Sequence, residues 1–402
     1  VNASPATIER PQLRVVRAGE RAPTTRAEAA ARRSVRLLVG STVFLSVSGL
    51  IMVLSASSVY ACQRIGSCFY FFQKQAAYAA VGALALVVTS RMRYQVWRRL
   101  ALPMLLVTVA LLSVVLHPAA GVEAYGASRW LGFGPVTVQP SEVAKLALVA
   151  VAAALLSRKT VRLSEPRQVL MPLAPVAALV CGLVFIQPDL GTAIVLGGSI
   201  FVLLFVAGAR LRHLFLASFG LAATALLLLR DYQWERITVF LNPAADRMSG
   251  GWQLYQSLIA LGSGGWFGVG LGASRQKWMY VPNAHTDFVF SILGEELGLV
   301  GETVVLIGFG VLLFAVVRIA AAAPDAFGRL LAAGIVGWFG IQIVVNLGAV
   351  TGLLPITGVP LPFLSYGGSS LVVSLAAVGI LVNIARASGR ASLRTPVGGG
   401  TA

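Results

Sequence analysis

Ten apolar runs divide the chain, at about 37–58, 70–90, 100–117, 141–157, 168–187, 190–209, 213–230, 287–317, 327–349 and 367–386. Each is long enough, or nearly so, to cross a hydrocarbon core of ~30 Å as a helix. The pattern predicts an all-α fold: a polytopic membrane protein with about ten transmembrane helices. The fifth and sixth runs nearly meet at "QPDLG", which predicts a sharp re-entry, and the eighth is unusually long and rich in glycine. Between the seventh and eighth lies a large extracytoplasmic loop, 231–286, far longer than a connector needs to be. Its "GGWQLYQSLIALGSGGWFGVGLG" is too apolar for disorder, so short segments along the membrane interface are expected.

Composition agrees with a membrane chain. Of 402 residues, 57% are hydrophobic and 12% charged, about half the charged fraction of an average soluble domain. The net charge of +17 does not point to nucleic acid, because the bases punctuate oily runs instead of forming a stripe on a folded surface. Residues 1–36 carry eight arginines and no apolar core of the kind a signal peptide needs. They are expected to be a disordered basic cytoplasmic tail, with 37–386 the membrane domain and 387–402 a second cytoplasmic tail. With both termini inside, 23 of the 32 Lys and Arg residues fall on the cytoplasmic face, as the positive-inside rule requires. Arg129, Lys145, Arg275 and Lys277 are exceptions, and exceptions invite a functional reading. The same topology puts Cys62 and Cys68 together in the first outer loop, where a disulfide is chemically feasible, and leaves Cys181 a buried thiol. No metal-ligand spacing of Cys or His is present.

Candidate chemistry collects in three stretches. "PNAHTDFVFSILGEELGLVGE" (282–302) places four of the fifteen acidic residues of the chain in a segment otherwise fit for a bilayer, where ionised side chains are costly and usually face protein or a wet cavity. Read as one helix starting near Asp287, it puts positions 287, 291, 294, 295, 298 and 302 on a polar, small-residue face. Asp287 sits at the rim, near water and any bilayer-anchored substrate; the plainer alternative is an acid favouring a helix dipole. Glu295 and Glu296 lie deeper and are expected to position the helix. In "QPSEVAK", Pro140 suits a first helical position and Glu142 can pair with Lys145 at i, i+3. A lysine inside a span needs an anion: Glu142, Asp189, Asp287 or a substrate phosphate. Arg129, with its forked donors, is a second phosphate candidate. The third stretch, "NLGAVTGLLPITGVPLPFLSYGGSS" (346–370), is uncharged and irregular, and irregular backbone at membrane depth is tolerated where it is buried or walls a cavity.

Taken together, "GASRW…QPSEVAK", "QPDLGTA", "GWQLYQS…GSGG", "QKWMYVPNAHTDFVFSILGEELG" and "GLLPITGVPLPFLSYGGSSL" closely resemble the SEDS (shape, elongation, division and sporulation) family of bacteria, over about residues 36–386. Within it, Lys277 and "GEELG" look more like the division member than the elongation member. The resemblance implies a ten-helix peptidoglycan glycosyltransferase that polymerises lipid II, an undecaprenyl-pyrophosphate-linked disaccharide peptide, at the outer face of the cytoplasmic membrane. It also implies a class B penicillin-binding protein as partner, with other divisome membrane proteins, and a location at the septum. The catalytic aspartate of the family matches Asp287, its cavity lysine Lys145 and its loop arginine Arg129. Lys277, Gln139, Asp189 and His285 are further expected substrate contacts, and Glu142, Ser369 and Ser370 expected positioning residues. No cofactor follows from the residues; a divalent cation (Mg or Mn) bridging the pyrophosphate is compatible with the chemistry but has no ligand spacing behind it.

The implied chemistry suits these residue types. Undecaprenyl pyrophosphate is already a good leaving group, so one general base acting on the acceptor hydroxyl suffices. Direct displacement inverts the α-linked donor into a β-1,4 product without the two carboxylates of a retaining glycosidase. Two other classes stay open on residues alone: a lipid-linked precursor flippase, which should show symmetric halves and a midplane site, and a scaffold that only recruits an enzyme.

Overall fold

The computed structural model describes residues 26–117, 121–124, 127–134, 136–158, 166–227, 229, 231–241 and 251–391. Among these, helices dominate: α1 (Arg26–Ile65), α2 (Tyr70–Arg91), α3 (Gln95–Val115), α4 (Pro140–Leu156), α5 (Pro166–Ile186), α6 (Leu190–Ala207), α7 (Leu211–Leu227), α8 (Asp231–Leu241), α9 (Trp252–Ser263), α10 (Val289–Ala321), α11 (Ala326–Val350) and α12 (Gly368–Ala391). Seven of them (α1, α2, α3, α6, α10, α11 and α12) are long and apolar enough to cross a membrane. The helix ends follow local chemistry. Asp189 caps α6 by accepting from Thr192 N, and Gly208, at φ +92°, ends it in the left-handed conformation that favours glycine. Asp325 caps α11 through Gly328 N at 2.7 Å.

Three expectations need correction. The helix expected from residue 37 begins at Arg26, and the last runs on to Ala391. "RAEAAARRSVR" is a run of good helix formers in which Arg32 donates to Glu28 one turn away, so a basic composition alone was no sign of disorder there. Residues 1–25 and 392–402 lie outside the described residues. The all-α reading missed a three-stranded antiparallel sheet of β1 (Gly121–Ala124), β2 (Ala127–Phe133) and β3 (Val136–Val138), in order β1-β2-β3. Leu131 pairs with Val138 and Phe133 with Val136, across a turn containing Gly134 at φ +63°. Such strands are too short for their alternation to be read against the surrounding apolar runs.

The third correction concerns 287–302, which is not one continuous helix. Asp287 lies in the turns before α10, and α10 breaks at Gly298 (φ 65°, ψ −169°), so Glu302 lies beyond the break. A break inside a bilayer strands backbone groups, and each needs a partner. Here the loop after α9 supplies them: Val269 N and Gly270 N donate to Glu295 O and Glu296 O at 2.9 and 3.0 Å, while Gly265 O and Trp266 O accept from Leu299 N and Val300 N at 2.9 and 3.1 Å. Gly268, at φ +76°, makes that approach feasible; a Cβ there would lie 2.2 Å from Glu296 O. The glycines of "GSGGWFGVG" let a loop act as the missing helical turn.

The helices pack in two adjoining groups. α12 lies against α2 and α1, and α1 against α10; α11 lies against α6, α10 and α4, and α3 against α4. Apolar side chains give little driving force for association in lipid, so close backbone approach and buried polar contacts do more of the work. At the α2–α12 contact, a Cβ on Gly379 would meet Thr89 Oγ1 at 2.0 Å, and Thr89 donates across the interface to Ala376 O at 2.9 Å.

Candidate functional site

At the end of the bundle where α1 stops and α12 starts, a cavity of about 370 Å³ opens between the sheet, the turns before α10 and the irregular segment 351–367. Distant parts of the chain contribute one or two residues each: Tyr60 from α1, Phe71 from α2, Arg129 from β2, Asp189 from the α6 cap, Arg236 from α8, and Ser369 and Ser370 from α12. Gln139, His285 and Asp287 complete its polar wall.

Asp287 is half-buried. Its backbone is held from below, where Asn346 Nδ2 on α11 donates to Asp287 O at 2.8 Å and to Val359 O at 2.6 Å. Its carboxylate, in contrast, accepts no hydrogen bond among the described residues. Gly358, at φ +71°, lies beside it: a Cβ there would be in ordinary contact, 3.5 Å from Oδ2. Burial pushes the Asp287 carboxyl up to about 6; Arg236 and then Arg129 pull it down, and Asp189 adds a small upward push. Above that pH it is ionised and uncommitted, which is what a general base requires.

Both arginines are held against backbone carbonyls, which fixes their place in the cavity wall. Arg129 donates to Gln187 O at 3.2 Å and to Pro188 O, clamping β2 to the "QPDLG" turn. Arg236 donates to Ile356 O at 3.0 Å. Asp189 spends one oxygen on the α6 cap at 3.1 Å, and its other oxygen lies 3.5 Å from Gln139 Nε2. Ser369 Oγ accepts from Gln139 N at 3.1 Å and donates to Thr137 O at 3.3 Å, so it ties α12 to β3 at the cavity wall.

Lys145 and Lys277, both expected at the substrate, do not line the cavity. Lys145 is 1% exposed and lies beneath the floor, 2.8 and 2.9 Å from the two Glu142 oxygens and 2.9 Å from Gln342 Oε1. Gln342 also accepts from Trp338 Nε1 at 2.7 Å and donates to Pro360 O at 2.7 Å. Gln342 and Asn346, one turn apart on α11, are thus two rungs that hold the cavity segments from underneath. Lys277 lies elsewhere, donating to Gly272 O at 2.6 Å and pairing with Glu296 at 3.4 Å. Glu296 also accepts from Ser55 Oγ at 2.6 and 2.7 Å, and Glu295 accepts from Ser274 Oγ, Arg275 N and Gln276 N. These two carboxylates pin the segment 272–277 to α10 and α1.

His285 faces an aromatic group instead of a charge. Its ring centroid lies 4.5 Å from that of Phe71, 5.6 Å from Tyr366 and 6.1 Å from Tyr60. Burial pushes its imidazole down to about 4, so it is neutral at physiological pH. A Cys62–Cys68 disulfide closes the turn between Tyr60 and Phe71 and fixes that aromatic rim. Sequence reasoning missed Arg236, Gln342 and Asn346. The Gln/Asn pair at i, i+4 in an otherwise apolar span was a usable signal; Arg236 had none to separate it from other loop bases. Among the described residues no three His, Cys, Asp or Glu side chains gather as a metal site.

A family profile covering FtsW, RodA and SpoVE, described as "Cell cycle protein", matches residues 36–390. The chain is 44% identical to stage V sporulation protein E of Bacillus subtilis, over 88% of this chain and 97% of that protein. It is also 44% identical to the probable peptidoglycan glycosyltransferase FtsW of Trichlorobacter lovleyi, over 87% and 92%. A solved structure described as "Structural coordination of polymerization and crosslinking by a peptidoglycan synthase complex" superposes with a TM-score of 0.72 at 32% identity, over 87% of this chain and 96% of that one. The rod shape determining protein RodA of Thermus thermophilus superposes with a TM-score of 0.65 at 31% identity, over 87% and 95%. The match of profile, sequence and fold over nearly the whole membrane domain makes this chain a member of the SEDS family, the FtsW, RodA and SpoVE group of bacterial cell cycle proteins.

Proposed function

We propose that this protein is a peptidoglycan glycosyltransferase that polymerises lipid II into β-1,4 glycan strands at the outer face of the cytoplasmic membrane during cell division. The observation that carries the reading is the Asp287 carboxylate: uncommitted, facing a cavity, and flanked by Arg129 and Arg236, which share that cavity. In the proposed step the GlcNAc 4-hydroxyl of the acceptor attacks the anomeric carbon of the donor as Asp287 takes its proton. The bond to undecaprenyl pyrophosphate breaks and the leaving group departs with the electron pair. Arg129 and Arg236 stabilise the charge that grows on the pyrophosphate, a contribution that is often the largest in such sites. Because both are already held by carbonyls, little reorganisation is needed at the moment of reaction.

Lys145 takes a different part from the one its motif suggested. Its charge, balanced by Glu142, orients Gln342 and through it the segment that carries Gly358 and Pro360. It is therefore proposed as a positioning residue, as is Lys277 for the 272–277 segment. Helices α4, α5 and α7, added to the seven long apolar ones, would give ten spans with both termini in the cytoplasm and Asp287 outside. A class B penicillin-binding protein is the proposed partner. The solved complex whose description couples polymerisation to crosslinking supports that, and relatives named FtsW support the division role. The equally high identity to a sporulation protein favours one second reading, the same chemistry used during sporulation.

The test is strand synthesis by the purified full chain with its partner and lipid II. Asp287→Asn should abolish product while complex formation and thermal unfolding stay as in the parent. Continued polymerisation by that variant would overturn the assignment.

A further inference from the structure

We propose that the end of the bundle opposite the Asp287 cavity binds the headgroup of an anionic phospholipid. α1 and α12 each reach both ends. Tyr60 and Ser370 border the Asp287 cavity, while Arg36 on α1 and Arg386 on α12 lie ~36 Å and ~24 Å away along their helices at about 1.5 Å per residue. At that far end are two further cavities. One, of about 580 Å³ between α1 and α12, is lined by Arg32, Arg36, Arg386 and Arg390. The other, of about 850 Å³, is lined by Arg91 at the end of α2, Arg93 in the α2–α3 turn and Arg99 near the start of α3, together with the same Arg386 and Arg390. The two adjoin, and Arg386 and Arg390 belong to both.

The acids nearby are already engaged. Glu28 pairs with Arg32, and Asp325 accepts from Tyr94 Oη at 2.8 Å while capping α11. Among the described residues, Arg36, Arg91, Arg93, Arg99, Arg386 and Arg390 have no carboxylate partner. The positive-inside bias accounts for arginines on one face; it does not account for six unbalanced guanidiniums from three parts of the chain meeting at two joined cavities. Their mutual repulsion is relieved by an anion, and guanidinium forks match phosphate oxygens two at a time. Position selects the source of that phosphate. The cavities lie at the ends of apolar helices, where a bilayer presents its headgroups, and Val35, Val96 and Pro324 in their walls suit the glycerol and upper acyl carbons beside them.

The experiment measures binding of phosphatidylglycerol, cardiolipin and phosphatidylcholine to the full chain in detergent by native mass spectrometry. Anionic lipid should be retained over phosphatidylcholine. Each arginine removed should weaken it about fivefold, so Arg386→Gln with Arg390→Gln loses about 25-fold, while Arg98→Gln, next to the second cavity but not lining it, binds as the parent does. If the double variant fails to fold, Arg36→Gln with Arg93→Gln removes one unbalanced charge from each cavity and takes its place. Undiminished binding by the folded variant, equal retention of phosphatidylcholine, or displacement by inorganic phosphate at the concentration at which the lipid binds would each overturn the proposal.

Discussion

Asp287 and the Glu295–Glu296 pair belong to one short stretch, yet they carry opposite kinds of environment. The two glutamates are 2% and 0% exposed, and each carboxylate is surrounded by donors: three from segment 274–276 for Glu295, and Ser55, Ser274 and Lys277 for Glu296. Asp287 is open to a cavity, and its carboxylate has no donor among the described residues. A fully satisfied buried acid stabilises a geometry and has little left to offer a substrate. An acid that burial has left under-solvated, next to cations that do not touch it, is poised to gain a proton. The comparison assigns structure to one pair and chemistry to the other, although motif membership would have grouped them together.

The comparison can be broken or sharpened by four measurements, taken from the largest expected effect downward. Replacing Asp287 by Asn should cost at least about a thousandfold in strand synthesis, since the base is lost outright, with no change in unfolding temperature. Glu296→Gln should do the reverse in kind: breaking a buried pair typically costs about 3–5 kcal/mol, so the variant should unfold at distinctly lower temperature. If Glu296→Gln were as stable as the parent and catalytically dead, the division into structural and chemical acids would fail. Arg236→Gln should lower kcat about 10²-fold, the lower end of the range seen for losing one preorganised charge-stabilising donor.

The smallest effect is a pH shift. With the Asp287 carboxyl raised to about 6, activity should be full above that value and fall as pH drops through it, because the protonated acid cannot accept the hydroxyl proton. Arg236 favours the ionised form, so its removal should move the acid limb of the profile to higher pH. A limb that stays in place in Arg236→Gln would show that the arginine does not act on Asp287.

Much of this protein was readable residue by residue. The apolar runs marked where helices lie because a bilayer demands continuous hydrophobic length, and Pro140 marked the start of α4 because its missing N–H is harmless there. The motifs around Asp287, Arg129 and "QPDLG" supplied Asp287, His285, Arg129 and Asp189, all of which line the cavity. What misled was local pattern extended too far. Helical periodicity carried through Gly298 put Glu302 on the same face as Asp287, whereas the backbone breaks there because a remote glycine loop can satisfy the freed groups. For Lys145 the residues left several anions open, and the structure places Glu142 against it at 2.8 Å.

The sequence by itself determined the membrane class, the approximate helix positions and the family, since these depend on hydrophobic length and on motifs contiguous in the chain. Only the tertiary structure decided which charges face the cavity and which are consumed beneath it. Lys145 is answered by Glu142, as the i, i+3 spacing allowed, but also by Gln342, 197 residues away, and Glu296 by Ser55, 241 residues away. The state of a buried charge is set by its nearest donors and acceptors, and in a helical bundle all but the i, i+3 and i, i+4 neighbours come from segments whose proximity no local pattern encodes.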